Sequence, residues 1–184
     1  MASSSERWFI SKNTILWIGK RPMSVVNVLK QADIFDEMSN TQLELIASIC
    51  SERHYQTGDT VFEEHSIGDQ LYVIASGEVQ IQVDPSLVER EGSGSGTYTI
   101  AVLRRGQSFG EVSLVDQGVR SAGARCSDQD TRLIIIPRDK LMLLCDTYPA
   151  LGYRLMRNLA ADLAMKIRNT DLKVREHLLW AQKK

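Results

Sequence analysis

The chain has 184 residues, of which 43% are hydrophobic and 24% charged, a composition typical of a folded globular protein. Its length allows one domain with a helical appendage, whereas two full domains do not fit. No apolar run approaches the ~20 residues of a membrane span. The N-terminus also lacks the apolar core of a signal peptide. We therefore expect a cytoplasmic protein with no membrane span.

Charge is distributed unevenly along the chain. The net charge is only −1, which argues against a general nucleic-acid-binding protein. Residues 1–24 carry +3, residues 25–150 carry −9 and residues 151–184 carry +5. An anionic ligand of the acidic central segment would need donors close to it, because the surrounding field repels such a ligand.

Cysteine and histidine are too scattered for a metal, redox or disulfide site. The three cysteines have wide spacings and form no Cys-x-x-Cys motif, so reduced, buried thiols fit best. The three histidines form no His-x-His pair. A phosphate-binding P-loop and a Gly-x-Ser-x-Gly elbow are both missing from the sequence. We therefore predict no metal, no cofactor and no enzymatic activity.

The N-terminal third of the chain predicts short helices. Residues 1–24 contain two of the three tryptophans and are interpreted as a helical or aromatic extension that docks on another surface. A short helical pattern follows after Pro22 and ends in a turn near Phe35. Ser39 and Gln42 have the spacing of a capping box, which predicts a helix from Ser39 to about Arg53.

From Tyr55 onward, short β-type runs alternate with glycine. Strands of about five residues broken by glycine are typical of an antiparallel barrel or jelly roll. A Gly/Ser-rich segment at residues 89–97 is interpreted as a hairpin loop. The predicted strands are Thr60–Phe62, Leu71–Ala75, Val79–Val83, Tyr98–Leu103 and Arg132–Ile136.

Helical patterns return after Pro137. A short amphipathic helix ends at Pro149, and a longer one runs from Ala150 to about Trp180. Its apolar or small residues are spaced alternately four and three apart, which is a heptad seam that predicts a parallel homodimer. A single helix lying along its own barrel is the alternative. The seam residues are Met156, Ala160, Leu163, Ile167, Thr170 and Val174.

The segment from Gly106 to Ser121 contains the groups that we expect to bind a ligand. Backbone amides of a helix that starts near Gly110 can point at an anion, and Arg120 adds a forked cationic donor. An ionised carboxylate, here Glu111, only accepts hydrogen bonds and suits a sugar hydroxyl. A ligand with both a phosphate and a ribose hydroxyl satisfies these groups, and a cyclic nucleotide has both.

These residues resemble the cyclic-nucleotide-binding domain of the catabolite-activator and protein-kinase regulatory-subunit families. The resemblance covers about residues 25–180, and it implies a mostly β, α+β fold. That fold is an antiparallel double-stranded β-roll, similar to a jelly roll, with short N-terminal helices and a long C-terminal helix. It divides the chain into the extension at 1–24, the β-roll with flanking helices at 25–149 and a lid or dimerisation helix at 150–184. The matching motif residues are Phe109, Gly110, Glu111, Leu114, Arg120, Ser121 and Ala122.

The resemblance also implies the role of each site residue. Glu111 would bind the ribose 2′-OH and Arg120 the cyclic phosphate, assisted by amides near Gly110 and Ser121. The alignment places Thr170 and Asp171 on the lid helix at the purine edge. The implied ligand site consists of Phe109, Gly110, Glu111, Val112, Arg120, Ser121, Ala122, Thr170 and Asp171.

The expected function is a receptor for cyclic AMP or cyclic GMP that signals through movement of the C-terminal helix to a partner or effector domain. Bacterial activators continue into a DNA-binding helix-turn-helix, whereas this sequence stops at Lys184, so we expect no direct DNA binding. A non-binding pseudo-receptor that serves as a dimerisation or docking scaffold is the alternative. The sequence leaves the choice between the two nucleotides open.

Overall fold

A computed structural model describes residues 8–11, 14–17, 24–84, 97–116 and 118–181. The strands are β1 (Trp8–Ser11), β2 (Thr14–Trp17), β3 (Ser51–Tyr55), β4 (Thr60–Phe62), β5 (Gln70–Ser76), β6 (Glu78–Val83), β7 (Tyr98–Arg104), β8 (Ser108–Phe109), β9 (Gly123–Cys126) and β10 (Thr131–Pro137). The helices are α1 (Val25–Leu29), α2 (Asn40–Ala47), α3 (Val112–Asp116), α4 (Arg138–Thr147) and α5 (Pro149–Ala181), with a 3-10 turn at Asp33–Phe35.

Eight of these strands form two antiparallel sheets of four, in the orders β3-β10-β5-β8 and β4-β9-β6-β7. The middle strands β5 and β10 are almost continuously apolar and buried, which is the pattern of strands covered on both faces. The two sheets enclose one apolar cluster that includes Tyr72, Leu103, Phe109 and Leu133. The predicted antiparallel β-roll with flanking helices is therefore confirmed.

The helices cover one side of the roll. Leu151, Leu155 and Leu159 lie one turn apart at the start of α5 and are almost fully buried. They pack in a second apolar cluster with α1, α2, α4 and the buried residues of β5 and β10. Beyond Leu163 the apolar side chains of α5 are largely exposed, so the first half of this helix is anchored and the second half extends from the core.

Most predicted elements match the structure, and the exceptions have a common cause. All five predicted strands and the capping box of Ser39 and Gln42 are confirmed. The helix predicted to reach Arg53 was too long, since α2 ends at Ala47 and Ser51–Tyr55 pairs with β10. Strands β3, β8 and β9 were missed. They are two to five residues long, and β3 is mostly exposed, so they lack an apolar pattern.

The predicted helical extension is corrected in the part of it that the structure describes. Residues 8–11 and 14–17 form the antiparallel pair β1-β2, in which Trp8 faces Trp17 across the strands. The two segments are WFIS and TILW, and β-branched and aromatic residues favour strands. The Gly/Ser-rich loop predicted at 89–97 lies, except for Thr97, outside the described residues.

The three cysteines are present as thiols. Cys126 is buried, and Cys50 and Cys145 are half-buried. Burial raises the pKa of the Cys50 thiol to about 12 and that of Cys126 to about 11, so both are protonated at neutral pH and unreactive. Across the described ranges, none of the helices combines the length and apolarity that crossing a bilayer requires.

Candidate functional site

The central part of the site is the turn that connects β8 to α3. Gly110 follows β8 with a φ of +84°, a left-handed conformation that glycine adopts without steric cost. A Cβ atom at this position would lie 2.6 Å from Nη1 of Arg120 and 3.0 Å from the carbonyl oxygen of Gln70. Glycine is therefore required at residue 110 by the backbone conformation and by the close approach of Arg120.

Arg120 is held in one orientation beneath this turn. The residue is only 4% exposed. Nη1 donates to the Gly110 carbonyl at 2.9 Å and Nη2 to the Gln70 carbonyl at 2.8 Å. The guanidinium carbon lies 4.2 Å from the centre of the Phe62 ring, within range of a cation–π interaction. These contacts preorganise a permanently charged donor group beside the Gly110 turn.

Aromatic rings and nearby charges set the environment of Arg120. Tyr72 and Phe109 stack with ring centres 5.0 Å apart and 12° between their planes. Burial lowers the pKa of Arg120, while Tyr72, Asp69 and Glu111 act to raise it. An arginine keeps its proton in proteins, so this site carries a positive charge at every physiological pH.

Glu111 is buried to the same degree as Arg120, with 5% of the residue exposed. Its carboxylate Oε1 lies 3.0 Å from Nζ of Lys166, a residue of α5. The same ammonium group donates to the Ser108 carbonyl at 3.1 Å and lies 2.8 Å from Asp162. The ion pair to Glu111 therefore comes from the C-terminal helix, which crosses the site at this point.

Lys166 is charged under all physiological conditions. Burial acts to lower its pKa, but attraction to Glu111 and Asp162 outweighs the burial, so the pKa of Lys166 lies above its ordinary value. Sequence reasoning missed this residue. A usable signal was present, because Lys166 precedes the predicted site residue Thr170 by four positions and residues four apart share a helix face.

The remaining predicted residues lie on the motif segment and on α5. Ala122 is buried, Ser121 is exposed and Val112 is 39% exposed. Thr170 and Asp171 are both exposed on α5, and the Thr170 hydroxyl donates to the Lys166 carbonyl at 2.9 Å. The structure therefore brings the turn, Arg120 and one face of α5 together. It gives Thr170 a hydrogen bond within its own helix.

A surface cavity of about 360 Å³ adjoins this region. Its lining includes Phe62, which stacks on Arg120, and Gly123 and Ala124, which follow the motif in the chain. Glu111 and Arg120 themselves are not among its lining residues. The cavity is thus connected to Arg120 through the Phe62 ring, which lines the cavity and contacts the guanidinium.

Comparison with known proteins agrees with this geometry. The family model of the cyclic nucleotide-binding domain matches residues 52–148, a range that contains Gly110, Glu111 and Arg120. The chain belongs to the cyclic nucleotide-binding domain family. This assignment accounts for the roll, for the glycine turn and for an arginine and a carboxylate buried close together.

Relatives of this cyclic nucleotide-binding domain include proteins named for either nucleotide. The cyclic AMP receptor protein of Thermus thermophilus is 32% identical over 79% of this chain and 62% of its own length. A cGMP-dependent protein kinase of Drosophila melanogaster is 26% identical over 68% of this chain and 13% of its own length. The domain thus spans less than two thirds of either relative.

A solved structure supports the fold independently. The cyclic nucleotide-binding domain from Methylobacillus flagellatus superposes with a TM-score of 0.69 at 24% identity. The alignment covers 82% of this chain and 80% of that one. At this identity the similarity establishes the shared β-roll.

Lys166→Met tests whether the ion pair with Glu111 holds α5 against the roll. The substitution removes the ammonium that reaches Glu111 and Ser108 but keeps an unbranched side chain as long as the lysine stem. We expect amide hydrogen exchange in residues 160–181 to become faster while β5 and β10 keep their protection, since weakly docked elements open locally. Hydrogen-exchange mass spectrometry measures both regions.

Lys140→Met is the matched control, because Lys140 is an exposed lysine on α4. It should leave exchange in both regions unchanged. Equal exchange in α5 for the Lys166 and Lys140 variants would contradict the role given to the ion pair.

Proposed function

We propose that this domain is a receptor for a cyclic nucleotide, cyclic AMP or cyclic GMP. Arg120 and the amides near Gly110 and Ser121 bind the cyclic phosphate, and Glu111 accepts a hydrogen bond from the ribose 2′-OH. The observation that supports this most strongly is the burial of Arg120 and Glu111, at 4% and 5% exposure, beside one glycine turn. Buried charges are costly unless paired or used.

The acidic surroundings favour a site in which the phosphate is bound by groups in direct contact with it. Residues 25–150 carry a net charge of −9, which repels an anion at long range. A phosphate is then bound through short, directed contacts. A guanidinium that is already oriented by two carbonyls and a ring provides such contacts with little ordering cost.

The C-terminal helix is the element through which binding is transmitted. Lys166 of α5 contacts the same Glu111 carboxylate that we assign to the ribose hydroxyl. A bound nucleotide therefore changes the surroundings of a contact that holds α5. A ligand shifts a conformational equilibrium through its different affinities for the two states. The two states of this domain differ in the position of α5.

We also propose that α5 forms a parallel homodimer and passes the signal to an effector partner. Five of the six seam residues are exposed in the single chain, with Ile167 61% and Val174 52% exposed, and Leu163 is half-buried. Further exposed apolar side chains, among them Leu172, Leu178 and Leu179, lie along the same half of the helix. Exposed apolar side chains in a row along one helix face, here Ile167, Val174 and Leu178, are typical of an interaction site.

The test is a calorimetric titration of the full chain with cyclic AMP and with cyclic GMP, alongside light scattering with and without nucleotide. We expect saturable binding of at least one nucleotide and the mass of a dimer. Absence of heat with both nucleotides, together with a dimer by light scattering, would instead support the alternative function of a non-binding scaffold.

A further inference from the structure

The distal half of α5 carries a second row of exposed apolar side chains, separate from the proposed dimer seam. Met165, Leu172 and Leu179 are 50%, 58% and 62% exposed. They are spaced seven residues apart, which is about two helical turns, so they lie in one row along the helix. We call this row the outer stripe.

The heptad of the seam places the outer stripe on the opposite side of α5. With Ala160 as position a, the seam residues occupy positions a and d, and each residue of the outer stripe falls at position f. Position f lies farthest from the partner helix in a coiled coil and is ordinarily polar. A parallel dimer through the seam therefore leaves the outer stripe exposed on both helices.

Basic side chains border the outer stripe on one side. Arg168 and Arg175 each follow a stripe residue by three positions, and both are exposed. The other side of the stripe carries Asn169 and Glu176. The stripe is thus an apolar row with a cationic edge, and it is complementary to a partner that presents apolar residues next to acidic ones.

A surface cavity of about 370 Å³ lies at the end of the outer stripe nearest the core. Met165 and Arg168 contribute to its lining, together with Asp33 and Asp36 from the region of the 3-10 turn. Anchoring side chains that fill such recesses supply much of the binding energy of protein interfaces. Because carboxylates also line this recess, the side chain that fits it is apolar or basic.

A second copy of α5 does not fit the outer stripe. In an antiparallel arrangement centred on Leu172, Arg175 would lie beside Arg168 of the second copy, because both arginines are on the same side of the stripe, and like charges repel. A parallel arrangement would add a second symmetric interface to the seam, and such an assembly extends without closing. The occupant is therefore a different chain.

We propose that the outer stripe binds an amphipathic helix of the effector, with apolar residues packed on the stripe and acidic residues beside Arg168 and Arg175. Amphipathic helices commonly dock on exposed apolar rows and grooves. This step rests on the proposed dimer and effector, and it gives the effector a surface that dimerisation leaves uncovered. An anionic membrane would also attract arginines, but the net charge of −9 on residues 25–150 opposes its approach.

The probe for this experiment is a fluorescein-labelled synthetic helical peptide of about three heptads, with leucine at positions a and d and glutamate at positions e and g. Fluorescence anisotropy follows its binding to the full chain, and light scattering gives the mass of the chain with and without peptide. We expect saturable binding to an intact dimer. Leu172→Ser should weaken binding roughly tenfold, since it removes an apolar contact that the complex buries. The double variant Arg168→Ala, Arg175→Ala should also bind clearly more weakly.

Leu143→Ser is the matched control, because Leu143 is a 66% exposed leucine on α4, and it should leave binding unchanged. The same peptide with lysine in place of glutamate should bind clearly more weakly to the wild type. Equal binding of the two peptides, or equal affinities of the Leu172 and Leu143 variants, would overturn the inference. Loss of binding in Ile167→Ser but not in Leu172→Ser would place the peptide on the seam and overturn it as well.

Two further measurements separate this inference from the alternatives and from the proposed function. Binding to phosphatidylserine vesicles that is lost in Leu172→Ser would identify a membrane surface and overturn the effector helix. A wild-type dimer that does not bind the glutamate peptide contradicts the outer stripe alone, whereas a wild-type monomer contradicts the proposed dimer on which the inference rests. All of these measurements are made without nucleotide, so a failure here is distinct from a failure of the receptor function.

Discussion

Arg120→Ala is expected to weaken cyclic-nucleotide binding by roughly 100-fold or more. A guanidinium forms paired, charge-assisted hydrogen bonds with a phosphate, each worth about 1.5–3 kcal/mol, and about 1.4 kcal/mol corresponds to a factor of ten. Alanine removes both bonds together with the stacking on Phe62. Calorimetric titration measures the loss.

Arg125→Ala provides the matched control for this prediction. Arg125 lies five residues away on β9 and is exposed, so its loss changes the net charge equally without removing a buried donor. We expect it to change affinity by less than about threefold, since exposed charges are screened by salt. Equal losses for the two variants would refute the assignment of Arg120 to the phosphate.

A second variant separates an effect on the fold from an effect on the site. Arg120 bonds two backbone carbonyls, so its removal also affects stability. Arg120→Lys keeps the positive charge but lacks the planar fork. We expect this variant to lose less stability than Arg120→Ala and still to bind clearly more weakly than the wild type, and thermal denaturation followed by titration checks both.

Gly110→Ala is expected to abolish nucleotide binding and to destabilise the fold. The residue has a φ of +84°, and its Cβ would lie 2.6 Å from Nη1 of Arg120 and 3.0 Å from the Gln70 carbonyl. A left-handed conformation costs a non-glycine residue about 1–2 kcal/mol. The guanidinium can move away, but that displaces the phosphate-binding group. The Gln70 backbone cannot easily move, which adds a further steric cost.

Gly58→Ala isolates the conformational part of this effect. Gly58 has a φ of +89°, and a Cβ there would meet no heavy atom within 4 Å. Urea denaturation should show a loss of about 1–2 kcal/mol for Gly58→Ala and a greater loss for Gly110→Ala. Only the second should lose binding in a titration. Equal effects of both variants on unfolding and binding would show that the contact between Gly110 and Arg120 is unimportant.

The motif was readable from the sequence because its groups lie within a few residues of one another. Gly110, Glu111 and Arg120 span one turn, one short helix and one connection, so local backbone geometry brings them together. The contacts that hold these groups were not readable in this way. Arg120 bonds to Gln70, which is 50 residues away in the chain, and Glu111 pairs with Lys166, 55 residues away.

Secondary structure was likewise predictable where its signal is local and unpredictable where it depends on distant residues. Buried strands such as β5 and β10 are apolar along their length, and α2 begins at a capping box, so both kinds of element have a local signal. The strand Ser51–Tyr55 is polar and mostly exposed. It becomes a strand because β10 provides hydrogen-bonding partners, and that pairing depends on the rest of the fold.

The sequence alone therefore determined the class of fold, the glycine turn and the two oppositely charged residues near it in the chain, because each depends on side-chain patterns or on neighbours in the chain. Only the tertiary structure decided that Lys166 contacts Glu111 and that Phe62 packs on Arg120. These contacts join residues far apart in the chain. The docking angle of α5 and the register of the strands create them, and neither leaves a local pattern in the sequence.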